Sequence, residues 1–178
     1  VYWAGGNPFH HHQDLNRLHQ AWLQPETIIV NEPWWTPTAQ RADIVFPATT
    51  PYEREDIGRS PLDDYLFHMP QLIPPVGEAR DDYAIFAGLA ERLGVGDAFT
   101  EGRDPAGWIA HLYEGLIERG RTLGVDVPTL DELRAKNWVK LDLAAEEQPK
   151  PVLRRFRADP TGAPLKTPSG KIEIFSDR

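Results

Sequence analysis

Apolar positions in the first fifty residues fall in short runs broken by turn residues. Val1-Tyr2-Trp3-Ala4 reads as the end of a buried strand running into Gly5-Gly6-Asn7-Pro8, a strong turn signal. Leu15, Leu18, Trp22 and Leu23 then share one face of a helix, which Pro25 stops. Thr27-Ile28-Ile29-Val30 is a β-branched run typical of a buried parallel strand, ended by Asn31-Glu32-Pro33. Thr36 to Ala42 predicts a short helix with Pro37 in its first turn, and Asp43-Ile44-Val45-Phe46-Pro47 a third strand. Strand, helix, strand, helix, strand with brief loops is the α/β pattern of a parallel sheet, here a partial doubly wound one.

Regularity lapses from Ala48 to Pro75. Pro51, Pro61, Pro70, Pro74 and Pro75 argue against a long helix or a central strand, so this stretch is expected to be an irregular, extended crossing over a surface. Asp81 to Leu93 carries the apolar stripe Tyr83, Phe86, Ala87, Ala90 and Leu93, closed by Gly94. Trp108, Leu112, Leu116 and Ile117 predict a second amphipathic helix. Thr129 to Asn137 predicts a third, with Thr129 and Glu132 spaced as a capping box. Ala145 to Pro164 is polar, basic and proline-bearing and reads as a linker. Thr167-Pro168-Ser169-Gly170 is a turn, and Lys171-Ile172-Glu173-Ile174-Phe175 alternates as a strand would; with nothing after it to pair with, it reads as the opening of a separate domain. The expected divisions are 1–50, a Rossmann-like half-domain; 51–77, the crossing; 78–144, helices completing that domain; 145–166, a linker; and 167–178, the start of the next domain.

Composition narrows the partners. Across 178 residues, 27 acidic side chains outnumber 19 basic ones, for a net charge of −8. Such a chain is a poor prospect for nucleic acid or an anionic membrane, since phosphate contacts need clustered Lys and Arg. No apolar run approaches the ~20 residues that span a bilayer. The absence of cysteine excludes disulfides, iron–sulfur ligation, thiolate zinc and a Cys nucleophile within this chain, and suits cytoplasm or periplasm equally. The start at Val1, without Met or a basic lead, reads as the interior of a longer polypeptide.

The chemistry points to binding rather than to a nucleophile. A Gly5-Gly6-Asn7 turn beyond a parallel strand brings bare backbone close to a ligand, and its N–H groups with a following helix N-terminus suit a phosphate. Glu32 ends the second strand, where doubly wound sheets place an acid for ribose hydroxyls. The competing reading makes the turn only a turn and Glu32 only a solvated carboxylate. His10-His11-His12 lacks a matching His or carboxylate pair, so no metal is expected; one imidazole and Gln13 are expected to face the crevice. Trp34-Trp35 is expected to pack in a core or interface. Arg54 lies among acids and is either a surface ion pair or a planar fork for an anionic ligand. Of Asp81 and Asp82, one is expected to cap the helix and the other to point back across the crevice, where a carboxylate can accept two N–H donors from a guanine edge. No Ser-His-Asp arrangement, P-loop or glycosidase pair is evident, so any catalysis belongs to a cofactor.

Tyr2-Trp3-Ala4-Gly5-Gly6-Asn7-Pro8-Phe9 with His11-His12-Gln13-Asp14 resembles the dimethyl sulfoxide reductase family of molybdopterin oxidoreductases, nearest the dimethyl sulfoxide, trimethylamine N-oxide and biotin sulfoxide reductase branch. The resemblance continues through Trp35 to Ala39, Ala42 to Thr50, Tyr52-Glu53-Arg54, Glu78 to Phe86 and Thr167 to Ile174. It implies part of a molybdenum enzyme carrying bis(molybdopterin guanine dinucleotide) and reducing a small sulfoxide or N-oxide. The rest of its own polypeptide would be the partner, and the segment from 167 would open a C-terminal barrel domain. By that likeness Gly5, Gly6, Asn7, His11 and Gln13 contact the pterin and phosphate portion, and Glu32 falls where an Asp usually faces the guanosine. Arg54 reaches the cofactor's polar face and Asp82 reads the guanine edge. Leu66-Phe67 stand where related reductases carry Ser-Asn. The metal's protein ligand would lie upstream, so the isolated chain is expected to be inactive. A non-catalytic nucleotide-binding module and a ligand-free packing domain remain the alternatives.

Overall fold

A computed structural model describes residues 1–60, 63–143 and 153–175. Three strands, β1 (Tyr2–Ala4), β2 (Ile29–Glu32) and β3 (Ile44–Pro47), form a parallel sheet in the order β1-β2-β3. Pairing of Tyr2 with Ile29 and of Val30 with Val45 sets the register. Alternation along each strand then sends side chains to opposite faces.

On one face, Trp3 and Val30 meet Phe9 of α1 (Pro8–His11) and Trp22 of α2 (Leu15–Trp22). Phe9 and Trp22 meet edge to face with ring centres 5.2 Å apart, and the Trp22 indole donates to the Arg41 carbonyl at 2.9 Å. The opposite face carries Tyr2 and Phe46, with rings 6.5 Å apart, and receives α3 (Asp82–Arg92) through a Tyr2–Phe86 ring contact of 5.2 Å. Helices thus cover both faces of the parallel sheet, an α/β arrangement. The segment Thr36 to Ala42 forms a short helix of the 3-10 type at Ala39–Arg41, beginning two residues after Pro37.

The proline-rich stretch departs from expectation. A 3-10 turn at Pro51–Glu53 is followed by β4 (Asp56–Arg59) and β5 (Tyr65–Met69). With β6 (Trp138–Lys140) they make an antiparallel sheet in the order β4-β5-β6, so β5 is a central strand. No proline falls within Tyr65–Met69 and Pro70 follows it directly, so the ladder donors of β5 survive. Leu66 of β5 joins Tyr113 of α5 (Pro105–Leu123) and Leu133 of α6 (Leu130–Lys136) in a second core. The short α4 (Gly96–Thr100) precedes α5 and packs on α3.

The caps explain the helix starts. Asp81 accepts from Ala84 N–H at 2.7 Å, Asp104 from Gly107 N–H at 2.7 Å, and Thr129 with Glu132 completes the capping box. The apolar faces differ in detail. Leu112 and Leu93 are exposed, while Ile109 and Tyr113 are buried on α5. Trp34 and Trp35, 67% and 70% exposed, pack in no core among the described residues. Residue 144 and residues 145–152 of the expected linker lie outside the described residues, and α7 (Arg154–Ala158) forms inside that linker. The Thr167–Gly170 turn closes with a 3.0 Å backbone bond, but Lys171 to Phe175 forms no strand and pairs with no strand among the described residues. No helix among the described residues is long and apolar enough to cross a membrane.

Candidate functional site

The carboxyl ends of β1, β2 and β3 form one rim. Thr49 N–H donates to the Arg80 carbonyl and Arg80 N–H to the Pro47 carbonyl, both at 3.0 Å, so the chain entering α3 returns beside β3. Gly5 and Gly6 adopt φ values of 77° and 74°, which glycine reaches without strain. The Trp3 indole N–H is shared by the Gly5 and Gly6 carbonyls at 3.0 and 3.2 Å. Both carbonyls are thereby engaged, while the two glycine N–H groups make no hydrogen bond among the described residues. A Cβ at Gly5 would meet nothing within 4 Å; one at Gly6 would lie 3.6 Å from His11 Cε1.

The helix expected to follow this turn is split. α1 has only four residues, and the N-terminus of α2 is taken by Asp14, which accepts from Arg17 N–H at 2.9 Å. The phosphate reading therefore rests on the glycine N–H groups and not on a helix dipole. Asn7 Oδ1 accepts from the fully buried Thr38 hydroxyl, tying the turn to the loop after β2. His11 and Gln13 are exposed, and Gln13 makes no hydrogen bond among the described residues. Among those residues no three His, Cys, Asp or Glu side chains converge as a metal site.

The strand register that pairs Ala4 with Asn31 brings the glycine turn beside Glu32. Glu32 is partly occupied by its own loop: Oε2 accepts from the Thr36 hydroxyl at 3.1 Å and Oε1 from Trp34 N–H at 3.4 Å. Asp82 behaves otherwise. Because Asp81 caps α3, Asp82 turns back to the sheet, and its Oδ1 accepts from Asn31 Nδ2 at 2.8 Å. Asn31 is 4% exposed, and its Oδ1 accepts from the Tyr2 hydroxyl at 2.8 Å. Burial raises the Tyr2 pKa above the ordinary phenol value, helped by the nearby Asp82 charge, so the hydroxyl keeps its proton.

Asp82 also lines a cavity of about 590 Å³ with Arg54, Glu55, Asp56, Tyr83 and Trp108. That volume lies in the range of about 300–1,000 Å³ that ligand pockets occupy. Arg54 is half-exposed and paired through Nη1 with Asp56, so both readings of this Arg meet at one place: an ion pair on a cavity wall. On the same wall, Glu55 Oε1 accepts from Arg134 Nε at 2.8 Å and faces His68 Nε2 at 3.0 Å. The Arg134 hydrogen bond chiefly holds the Glu55 carboxyl below the usual range, against the opposing effect of burial. Arg54 and Asp82 thus share a cavity. Gly5, Gly6, Asn7 and Glu32 sit together at the β1–β2 end of the rim, with His11 against Gly6, and Asn31 links that end to Asp82.

The sequence model of the molybdopterin oxidoreductase family matches residues 1–92, which hold the parallel sheet, the rim and all of α3. The chain belongs to the molybdopterin oxidoreductase family. It is 48% identical over 99% of its length to biotin sulfoxide reductase of Cereibacter sphaeroides, covering 23% of that protein. It is 47% identical over 99% of its length to dimethyl sulfoxide/trimethylamine N-oxide reductase of Rhodobacter capsulatus, and 48% identical over the same share to trimethylamine-N-oxide reductase of Haemophilus influenzae, covering 22% of each. The chain therefore spans under a quarter of the length of these curated relatives. Acetylene hydratase from Pelobacter acetylenicus superposes with a TM-score of 0.50 at 23% identity, over 92% of this chain and 20% of that one, a likeness of fold.

Membership in the molybdopterin oxidoreductase family implies a molybdopterin cofactor, and the donor set at the rim suits one. Glycine N–H groups without a hydrogen-bond partner among the described residues can donate to a phosphate or pterin oxygen, and the exposed Asp82 carboxylate can accept from a ring N–H. The residues that the sequence did not single out are Asn31, Tyr2 and Thr38. An Asn at the end of a β-branched strand, next to the expected acid, was the available signal for the first.

Proposed function

We propose that this segment is part of a molybdenum-dependent sulfoxide or N-oxide reductase and grips one guanylate arm of bis(molybdopterin guanine dinucleotide). The bound cofactor would supply the two electrons and the oxygen-atom transfer, while this chain binds and orients it. The observation that carries the reading is the placement of Asp82: exposed, fixed by Asn31 at the sheet rim, and open to the cavity that Arg54 shares.

Each residue then has a physical role. The Gly5 and Gly6 N–H groups, with the Asn7 Nδ2 group, which has no partner among the described residues, donate to the phosphate and pterin portion, and His11 and Gln13 border it. Glu32 faces the guanosine sugar with the lone pairs its loop leaves unused. The cavity is lined by Glu55, Asp56 and Asp82, which disfavours a phosphate and favours a base edge rich in N–H donors. Arg54, already held by Asp56, presents its remaining N–H groups to the cofactor's polar face. The remainder of a longer polypeptide completes the cradle, and a small sulfoxide or N-oxide is the substrate. The 51–77 segment crosses the active-site face, and the residues from 167 open the C-terminal domain.

Arg54→Ala and Asp82→Asn in the full-length protein test the reading. Each removes a charge-assisted hydrogen bond worth about 1.5–3 kcal/mol, so cofactor affinity should fall about 10- to 100-fold. Molybdenum and acid-released GMP per protein should drop while far-ultraviolet circular dichroism is unchanged. Full molybdenum and GMP content in both variants would remove these residues from the site. The 178-residue chain alone should not oxidise reduced methyl viologen with dimethyl sulfoxide.

A further inference from the structure

Tyr2, Asn31 and Asp82 form a directed relay across the sheet. An ionised carboxylate only accepts hydrogen bonds, so the amide must face Asp82 with its Nδ2. Asn31 Oδ1 then faces Tyr2, whose hydroxyl must donate. The 2.8 Å Tyr2 bond therefore fixes which way round the Asn31 amide stands, and the 2.8 Å Asn31 bond fixes where the Asp82 carboxylate stands. Asn31 and Asp82 lie 51 residues apart and on different elements, so no local turn geometry imposes the contact. Asp82 Oδ2 accepts nothing among the described residues, and Oδ1 keeps a second lone pair.

We infer that Asn31 and Tyr2 are positioning residues that set the Asp82 carboxylate for two-point recognition of a purine bearing both a ring N–H and a 2-amino group. This rests on the proposed guanylate site and adds to it the source of base selectivity. Without the amide, the Asp82 side chain regains rotamer freedom, and the second acceptor no longer meets the 2-amino group in a fixed place. The first contact survives in any rotamer that reaches the ring N–H. Loss of the relay should therefore cost discrimination more than it costs binding.

The probes are GDP and IDP, which differ only by the 2-amino group, titrated into the full-length protein prepared without cofactor. The unmodified protein should prefer GDP by about tenfold or more. Asn31→Leu should bring the two affinities within about twofold of each other, and Tyr2→Phe should reduce the preference at least about threefold. A purely structural role would weaken both nucleotides equally and leave the ratio intact, which would overturn the inference. If Asn31→Leu does not fold, Tyr2→Phe decides, and an unchanged ratio there overturns it. Equal affinity of the unmodified protein for GDP and IDP would instead remove the guanine reading of Asp82, and this inference with it.

Discussion

Glu53 accepts the backbone N–H of Val76 through Oε1 at 2.6 Å, pinning a proline-rich strap to the turn that precedes Arg54. The other oxygen, Oε2, accepts both the N–H and the hydroxyl of Thr50 at 2.7 Å. The carboxyl is buried, and these bonds, the Thr50 N–H foremost, hold it below the ordinary carboxylate range. A carboxyl whose folded pKa is depressed stabilises the fold above its unfolded pKa of about 4.3, and that contribution is lost as pH falls through the folded value. Protection of the Val76 and Thr50 amides, measured against their intrinsic exchange rates, should be high at neutral pH and fall as the pH drops below the ordinary carboxylate range. Glu53→Gln should exchange faster at neutral pH and lose that acid dependence. An acid response that persists in the Gln variant would assign it to another group.

Leu133 is 0% exposed and fills the space between β5, β6 and α5, whereas Leu112 on α5 is 60% exposed. Leu133→Ala should cost about 2–5 kcal/mol, because burial is lost and a cavity is left. Leu112→Ala should change stability by no more than about 0.5 kcal/mol. Urea midpoints of the two variants, compared at equal slope, check the pair. A larger loss at Leu112 would mean that its face is covered in the full-length protein.

The capping box that opens α6 gives a smaller effect. Thr129 Oγ1 accepts from Glu132 N–H at 3.2 Å, and Glu132 Oε2 accepts from Thr129 N–H at 2.8 Å. Thr129→Ala should cost about 0.5–2 kcal/mol, and Thr129→Ser should recover most of it. Thermal unfolding of the three proteins measures this directly.

Local signals carried far, and distant ones did not. The three parallel strands were legible because β-branched residues run to turn residues at each end, and the α6 start because Thr129 and Glu132 stand three apart. The α5 face was misread by one position, Leu112 for Tyr113, since aromatic and aliphatic residues surround the helix and only the β5–β6 sheet selects the buried side. The central strand β5 was hidden by counting prolines across a long window, when none falls within Tyr65–Met69 and only Pro70 adjoins it. Leu66 and Phe67 divide between the faces of that strand: Leu66 enters the core and Phe67 the exposed side. At the site, one of two adjacent aspartates had to cap α3, and Asp81 does so. That Asp82 would find Asn31 depends on tertiary packing that spacing does not encode.

Gly5 and Gly94 separate backbone strain from ligand contact. Their φ values, 77° and 74°, lie in the region that costs a residue with a Cβ about 1–2 kcal/mol, and at both positions a Cβ would meet nothing within 4 Å. Alanine at either should therefore lower stability to a similar extent. The surroundings differ: Gly94 closes α3 at its far end, whereas Gly5 faces the open space at the rim beside Glu32. If the Gly5 N–H approaches a phosphate or pterin oxygen, a methyl group there obstructs it. Gly5→Ala should then reduce molybdenum per protein at least about tenfold, the effect of losing one charge-assisted hydrogen bond, while Gly94→Ala retains it. Metal analysis and melting temperature, measured together on the full-length variants, distinguish the two effects. Equal metal loss in both would assign the deficit to instability and exclude the glycine turn from the cofactor cradle.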